Sequence, residues 1–133
     1  MRRVLIALAL AIFSLWPAPA SAGDYIAADV HFWIRAYAVW YANEAHPYPE
    51  LVADVERVAE CESVHFNVAV INNRWRGSRG EIGVGQWLPG PRSIWWLTPQ
   101  AAAGYSILDP EANTAGLVWA ISQGMGPVHW SCW

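Results

Sequence analysis

Hydrophobic positions recur along this chain in several distinct rhythms. The first is unbroken. After Met1-Arg2-Arg3 comes an apolar run from Val4 to Trp16, then Pro17, Pro19 and the small residues Ala20-Ser21-Ala22. Charge, apolar run and A-x-A ending follow the order of a secretory signal peptide. The run is shorter than the roughly 20 residues that a spanning helix needs. Cleavage after Ala22 is therefore expected, with residues 1–22 excluded from the fold; an uncleaved anchor is the alternative.

The second rhythm is helical. From about Tyr25 to Ala45 the chain has no proline or glycine, and Ile26, Val30, Trp33, Tyr37, Trp40 and Tyr41 approximate one stripe. This predicts a long helix, ended by His46-Pro47-Tyr48-Pro49. Pro49 suits the first position of a second helix, predicted to run to about Ser63. Leu51, Val55, Val58 and Glu62 fall at i, i+4, i+7 and i+11 and share a face of it. Glu60 lies about 160° away, with Glu56, and reads as solvated surface.

Periodicity then fails. Val64 to Val70 mixes aromatic and β-branched residues, and Asn72-Asn73 signals a turn. From Asn72 to Gly85 stand Arg74, Arg76 and Arg79 with Gly77, Gly80, Gly83 and Gly85. That composition predicts a loop or a short irregular hairpin. Gly83-Val84-Gly85-Gln86 marks a place of close backbone approach. Gly90-Pro91 and Thr98-Pro99 each predict a short helix, the second closed by Gly104. Asp109-Pro110-Glu111 is a stronger start, with a cap residue, proline at the first helical position and an acid at the positive dipole end. That helix should reach about Gln123, with Gly124 behind it. Gly126-Pro127 breaks it, leaving the tail His129-Trp130-Ser131-Cys132-Trp133. The chain thus reads as one mainly α domain: four or five helices around a short irregular or β insertion.

Charge narrows the function. Without Arg2 and Arg3, six arginines face eleven acids, and there is no lysine. A nucleic-acid partner is disfavoured, because phosphate binding wants a basic footprint. His31, His46, His65 and His129 lack metal-ligand spacing, so no metal and no cofactor are expected. Cys61 and Cys132 are the only cysteines. In an exported protein an even count suggests a disulfide, which would tie the second helix to the C-terminus; two free buried thiols are the alternative.

Glu62 is the residue that asks for a reason. It ends an otherwise apolar helical face. Partial burial raises a carboxyl pKa, which suits a general acid working near neutral pH. The competing reading is an acid at the helix edge paired with an arginine.

In order, Glu62-Ser63, Phe66-Asn67, Gly80-Glu81-Ile82-Gly83-Val84-Gly85-Gln86 and Asp109-Pro110-Glu111-Ala112-Asn113 resemble the motifs of lysozyme-like soluble lytic transglycosylases. Cys61-Glu62-Ser63 is also similar to resuscitation-promoting factors, and the aromatic, cysteine-bearing tail is similar to that of small secreted members. The resemblance covers about residues 50–133, so residues 23–47 stand outside it and 48–133 would form the catalytic domain. Val64 stands where the family often has glycine, Val84 where leucine is usual and Thr114 where isoleucine is usual.

The resemblance implies an α+β lysozyme-like fold with the insertion beside the cleft. It implies an enzyme acting on the glycan strands of peptidoglycan, secreted or periplasmic, monomeric and without a stable membrane anchor. Glu62 would be general acid, then base, in cleaving the MurNAc–GlcNAc β-1,4 bond. Glu81 is a possible second carboxylate, which would permit hydrolysis, or else a partner of the arginine-rich loop. Ser63, Gly83, Gln86, Trp87 and Asn113 would bind substrate, Asn113 alternatively tying helices together. A non-catalytic glycan-binding module is the reading from another class. Of the tryptophans, Trp75, Trp87, Trp95 and Trp96 are the candidates for stacking on sugars, while Trp33, Trp40 and Trp119 are expected in the core. Arg74, Arg76, Arg79 and Arg92 form a positive patch that would suit muropeptide carboxylates.

Overall fold

A computed structural model describes residues 23–133; the expected signal peptide lies outside them. The domain is mainly helical. Three longer helices, α1 (Ala27–Tyr41), α2 (Tyr48–Glu62) and α5 (Pro110–Ser122), carry the core. Between α2 and α5 stand the short α3 (Val68–Ile71), a glycine-rich hairpin, a 3-10 turn (Ile94–Leu97) and the short α4 (Pro99–Ala102); α6 (Gly126–His129) follows α5.

Local chemistry sets these boundaries. Asp109 caps α5, its Oδ1 accepting from the Ala112 N–H at 2.8 Å, with Pro110 in the first turn. Thr98 and Ser93 cap α4 and the 3-10 turn through their hydroxyls. Asp29 reaches back to the Ile26 N–H at the start of α1, at 2.8 Å.

Helix α5 is buried nearly all round, from Ala112 to Val118 and again from Ala120 to Ser122. A helix so placed becomes the centre of its domain, and α1 makes its most extensive packing against it. Val30, Trp33, Ile34 and Ala38 of α1 join Leu51, Val55 and Val58 of α2 and Leu117, Val118 and Ile121 of α5 in one core. The N-terminal helix shares this core with the motif-bearing region.

The α1 stripe differs from expectation. Ile34 and Ala38 are fully buried, whereas Trp40, expected inside, is 82% exposed. Helix α1 is apolar on both faces, so the rhythm could not select which face turns inward.

The tryptophans expected to stack on sugar differ as well. Trp87 and Trp95 are almost wholly buried. Trp87 packs edge-on against both Trp95 and Trp130, with ring centroids 5.5 and 5.4 Å apart. Gly116 of α5 makes room for this cluster: a Cβ there would lie 3.0 Å from the Trp95 ring and 3.2 Å from the Trp87 ring. Trp75 and Trp96 are exposed.

Candidate active site

Glu62 is the last residue of α2. Leu51, Val55 and Val58, on the same face, are fully buried, while Glu62 at the helix end is half-buried. Glu56, read as free surface, instead pairs with His31 Nδ1 at 3.0 Å and Arg35 at 3.5 Å.

After Ser63 the backbone turns left-handed for three residues, with φ of 55°, 56° and 55° at Val64, His65 and Phe66. Each residue held there costs on the order of 1–2 kcal/mol, so the surroundings must hold the turn. Ser63 is central to that. Its hydroxyl donates to the Ala59 carbonyl and accepts the Phe66 N–H at 3.0 Å, and its carbonyl accepts the Asn67 N–H. The His31 ring lies 4.6 Å from that of Phe66. Ser63 is fully buried and anchors the turn rather than facing a groove. Val64 occupies a left-handed position, where a glycine would carry no Cβ penalty.

The glycine-rich segment forms a tight hairpin. Ile82 and Trp87 exchange backbone hydrogen bonds of 2.9 and 3.0 Å around Gly83-Val84-Gly85-Gln86. Gly83 and Gln86 both have positive φ, 68° and 44°. Val84 is fully buried and pins the loop to the core. Asn113 of α5 holds the hairpin from behind: its Oδ1 accepts the Gly85 N–H at 2.9 Å, and its Nδ2 donates to the Ile82 and Ile107 carbonyls at 3.1 and 3.0 Å. A Cβ on Gly83 would lie 2.5 Å from Asn113 Nδ2. Asn113 is fully buried with its amide committed to backbone, and Gly83 is buried against it. Both shape the loop that presents Gln86, and for Asn113 this is the packing alternative.

A cavity of about 370 Å³ opens where this hairpin meets the end of α2 and the C-terminal segment, with Glu62, Arg79, Glu81, Gln86, His129 and Ser131 in its wall. It adjoins one of about 200 Å³ that shares Arg79, Gln86 and His129 and extends past Trp87 to Arg92 and Ile94. The two share part of their walls. Gln86 lies at the junction, its Nε2 bonded to the Gly83 carbonyl at 2.8 Å.

The C-terminal wall is brought there by the disulfide between Cys61 and Cys132. The bond stands beside Glu62 in sequence at one end and beside Ser131 at the other. Glu62 Oε1 accepts from the Cys132 N–H at 3.3 Å and lies 3.5 Å from the Ser131 hydroxyl. Trp130 is fixed by its indole N–H, 2.7 Å from the Gly85 carbonyl. His129 and Ser131 were not foreseen as wall residues. The cysteine pairing was the signal that could have found them, because joining Cys61 to Cys132 forces their neighbours together.

Glu81 lines the same cavity and is nearly buried, but both oxygens are engaged. Arg79 donates from its Nε to Oε1 and from its backbone N–H to Oε2, each at 2.8 Å. Burial alone would raise this carboxyl's pKa; hydrogen bonds from its own and the Arg79 N–H groups, with the Arg79 guanidinium, bring it below the ordinary value. Gly77 leaves room for this arrangement, since a Cβ there would collide with Glu81 Oε2. Of the arginine patch, Arg74 is paired with Asp24 and Arg92 lines the groove.

The fold and site define a mainly helical domain with two glutamates, Glu62 and Glu81, in the wall of a polar cavity that a disulfide-tied tail closes on one side. No family model, no curated protein and no solved structure matches this chain.

Proposed function

We propose that the chain is a lysozyme-like peptidoglycan lytic transglycosylase, exported, with Glu62 as its acid and base. One observation carries the reading: Glu62 stands with Gln86 in the wall of a cavity of about 370 Å³ that shares wall residues with a second of about 200 Å³. The larger volume lies within the range of small-ligand sites. The ordered motifs and the disulfide support it further.

In this reading a protonated Glu62 gives its proton to the glycosidic oxygen as the bond to the MurNAc C1 breaks. The leaving GlcNAc departs with a free 4-hydroxyl. The substrate's acetamido group shields the positive centre at C1. Glu62, now a carboxylate, takes the proton of the MurNAc 6-hydroxyl as that oxygen bonds to C1. The product is a 1,6-anhydro sugar, no water is consumed, and Glu62 ends protonated as it began. Gln86 orients the sugar, and Arg92 faces the carboxylates of attached peptides.

A hydrolase reading rests on Glu81, which shares the cavity. Its two oxygens are held by Arg79, so it would have to be released before activating water, and transglycosylation is favoured. Purified sacculi separate the possibilities. The wild type should release 1,6-anhydro muropeptides, and Glu62→Gln should release them at least about a hundredfold more slowly, the usual contribution of a general acid. Reducing-end products would mean hydrolysis. Binding without release by either protein would reject catalysis.

A further inference from the structure

A cavity of about 310 Å³ shares no wall residue with the Glu62 groove and lies where α1 meets α4 and the start of α5. Tyr37 and Tyr41, one turn apart on α1, form one side, with ring centroids 6.4 Å apart and planes 15° from parallel. Tyr105 forms the outer rim and is 58% exposed. Asp109 and Glu111 supply negative charge, and among the described residues no arginine or histidine lines the cavity. The Asp109 carboxylate already caps α5 through Oδ1. Glu111 Oε1 accepts the Tyr37 hydroxyl at 2.9 Å. Burial first, and then the Glu111 hydrogen bond and charge, push the Tyr37 pKa up to about 12, so the ring stays neutral at ordinary pH.

Gln100 completes the wall and is only 8% exposed. Its Nε2 donates to the Tyr41 hydroxyl at 2.8 Å. Its Oε1 is buried and finds no hydrogen-bond partner among the described residues. A bare buried acceptor is unfavourable.

We propose that this cavity binds an organic cation, a primary ammonium or guanidinium carried on a short apolar stem. Aromatic faces attract such cations, and the carboxylates neutralise the charge. An anion would meet two like charges. A metal ion fits less well, since no group of three or more His, Cys, Asp or Glu side chains that could hold one exists among the described residues. A neutral apolar ligand would leave the Asp109 and Glu111 charges without a counter-charge. The volume is near the lower end for small-ligand sites, which suits a single amino-acid-sized stem. The proposal is independent of any chemistry at Glu62.

The test compares N-acetyl-lysine methylamide, N-acetyl-arginine methylamide and N-acetyl-norleucine methylamide, which differ in the head group on a similar stem. Each is titrated into the labelled protein and followed by NMR, up to about 50 mM, because a few exposed cation–π and charge contacts support only millimolar affinity. At least one cation should give saturable shifts at the Gln100 side-chain amide and at Ala103 and Ala112, binding at least tenfold tighter than norleucine. Glu111→Gln should weaken it at least fivefold, and so should Tyr105→Ala, a rim change that leaves the core intact. Norleucine binding within twofold of the better cation overturns the proposal, as does the absence of saturable shifts with both cations.

Discussion

Replacing Asn113 by alanine separates a structural role from a substrate contact. In the folded protein its amide serves three backbone groups. Truncation leaves the Ile82 carbonyl with the Trp87 N–H at 3.0 Å, but strips the amide partner from the Gly85 N–H and the Ile107 carbonyl. Stranding a buried polar group costs about 1–3 kcal/mol, so two give about 4 kcal/mol. That is a large share of the roughly 5–15 kcal/mol that holds a domain together, and roughly a thousandfold in the folding equilibrium. Urea unfolding followed by tryptophan fluorescence reads this directly, because Trp87, Trp95 and Trp130 lie against the hairpin that Asn113 holds. Gly83 supplies an internal control. A Cβ at Gly83 would occupy the space of the Asn113 amide, so Gly83→Ala should cost at least about 1 kcal/mol less beside Asn113→Ala than alone, a coupling typical of residues in contact. What stays uncoupled is the left-handed backbone penalty of about 1–2 kcal/mol. A loss of stability below about 1 kcal/mol, combined with a marked loss of glycan cleavage, would refute the structural role and return Asn113 to the substrate.

Three further outcomes are expected. Thiol titration of denatured, unreduced protein should find no free thiol, and Cys61→Ser/Cys132→Ser should cost about 4 kcal/mol, the chain-entropy value for a loop of this length; two free thiols in the wild type would reject the disulfide. Glu81 has a folded-state pKa below its ordinary value of 4.5, so its stabilisation is present above pH 4.5 and lost as pH falls through the lower folded value. The stability difference between wild type and Glu81→Gln should therefore be constant near neutrality and shrink in acid; a difference that grows below pH 4.5 would contradict the assigned contacts. Tyr37 has a folded-state pKa of about 12, above its ordinary value of 10.0. Its contribution is thus complete below pH 10 and lost as pH rises through 12, and alkaline difference spectra should show one late tyrosine that Tyr37→Phe removes.

Much of the helical frame was legible in the chain, because its signals are short-range. Asp109-Pro110, Thr98-Pro99 and the Leu51, Val55, Val58 spacing each act within a few residues, so they specify helix starts and faces without the rest of the protein. The glycine-rich break likewise announced a hairpin, and two cysteines announced the bond that closes the groove. The left-handed turn at Val64, His65 and Phe66 was not legible, since none of those residues prefers that backbone and it is held by contacts with Ser63, Asn67, His31 and the Glu60 and Cys61 carbonyls. Trp40 and Ala38 compete on a helix with apolar residues on both faces, and packing against α2 and α5 leaves Ala38 buried and Trp40 in solvent. Asn113 has the same cause. An asparagine in a helix can face sugar or backbone with equal chemistry, and the choice was made when residues 28 and 31 positions away, Gly85 and Ile82, folded against it. Local propensities set the elements; the long-range packing that sets their roles is a property of the whole core.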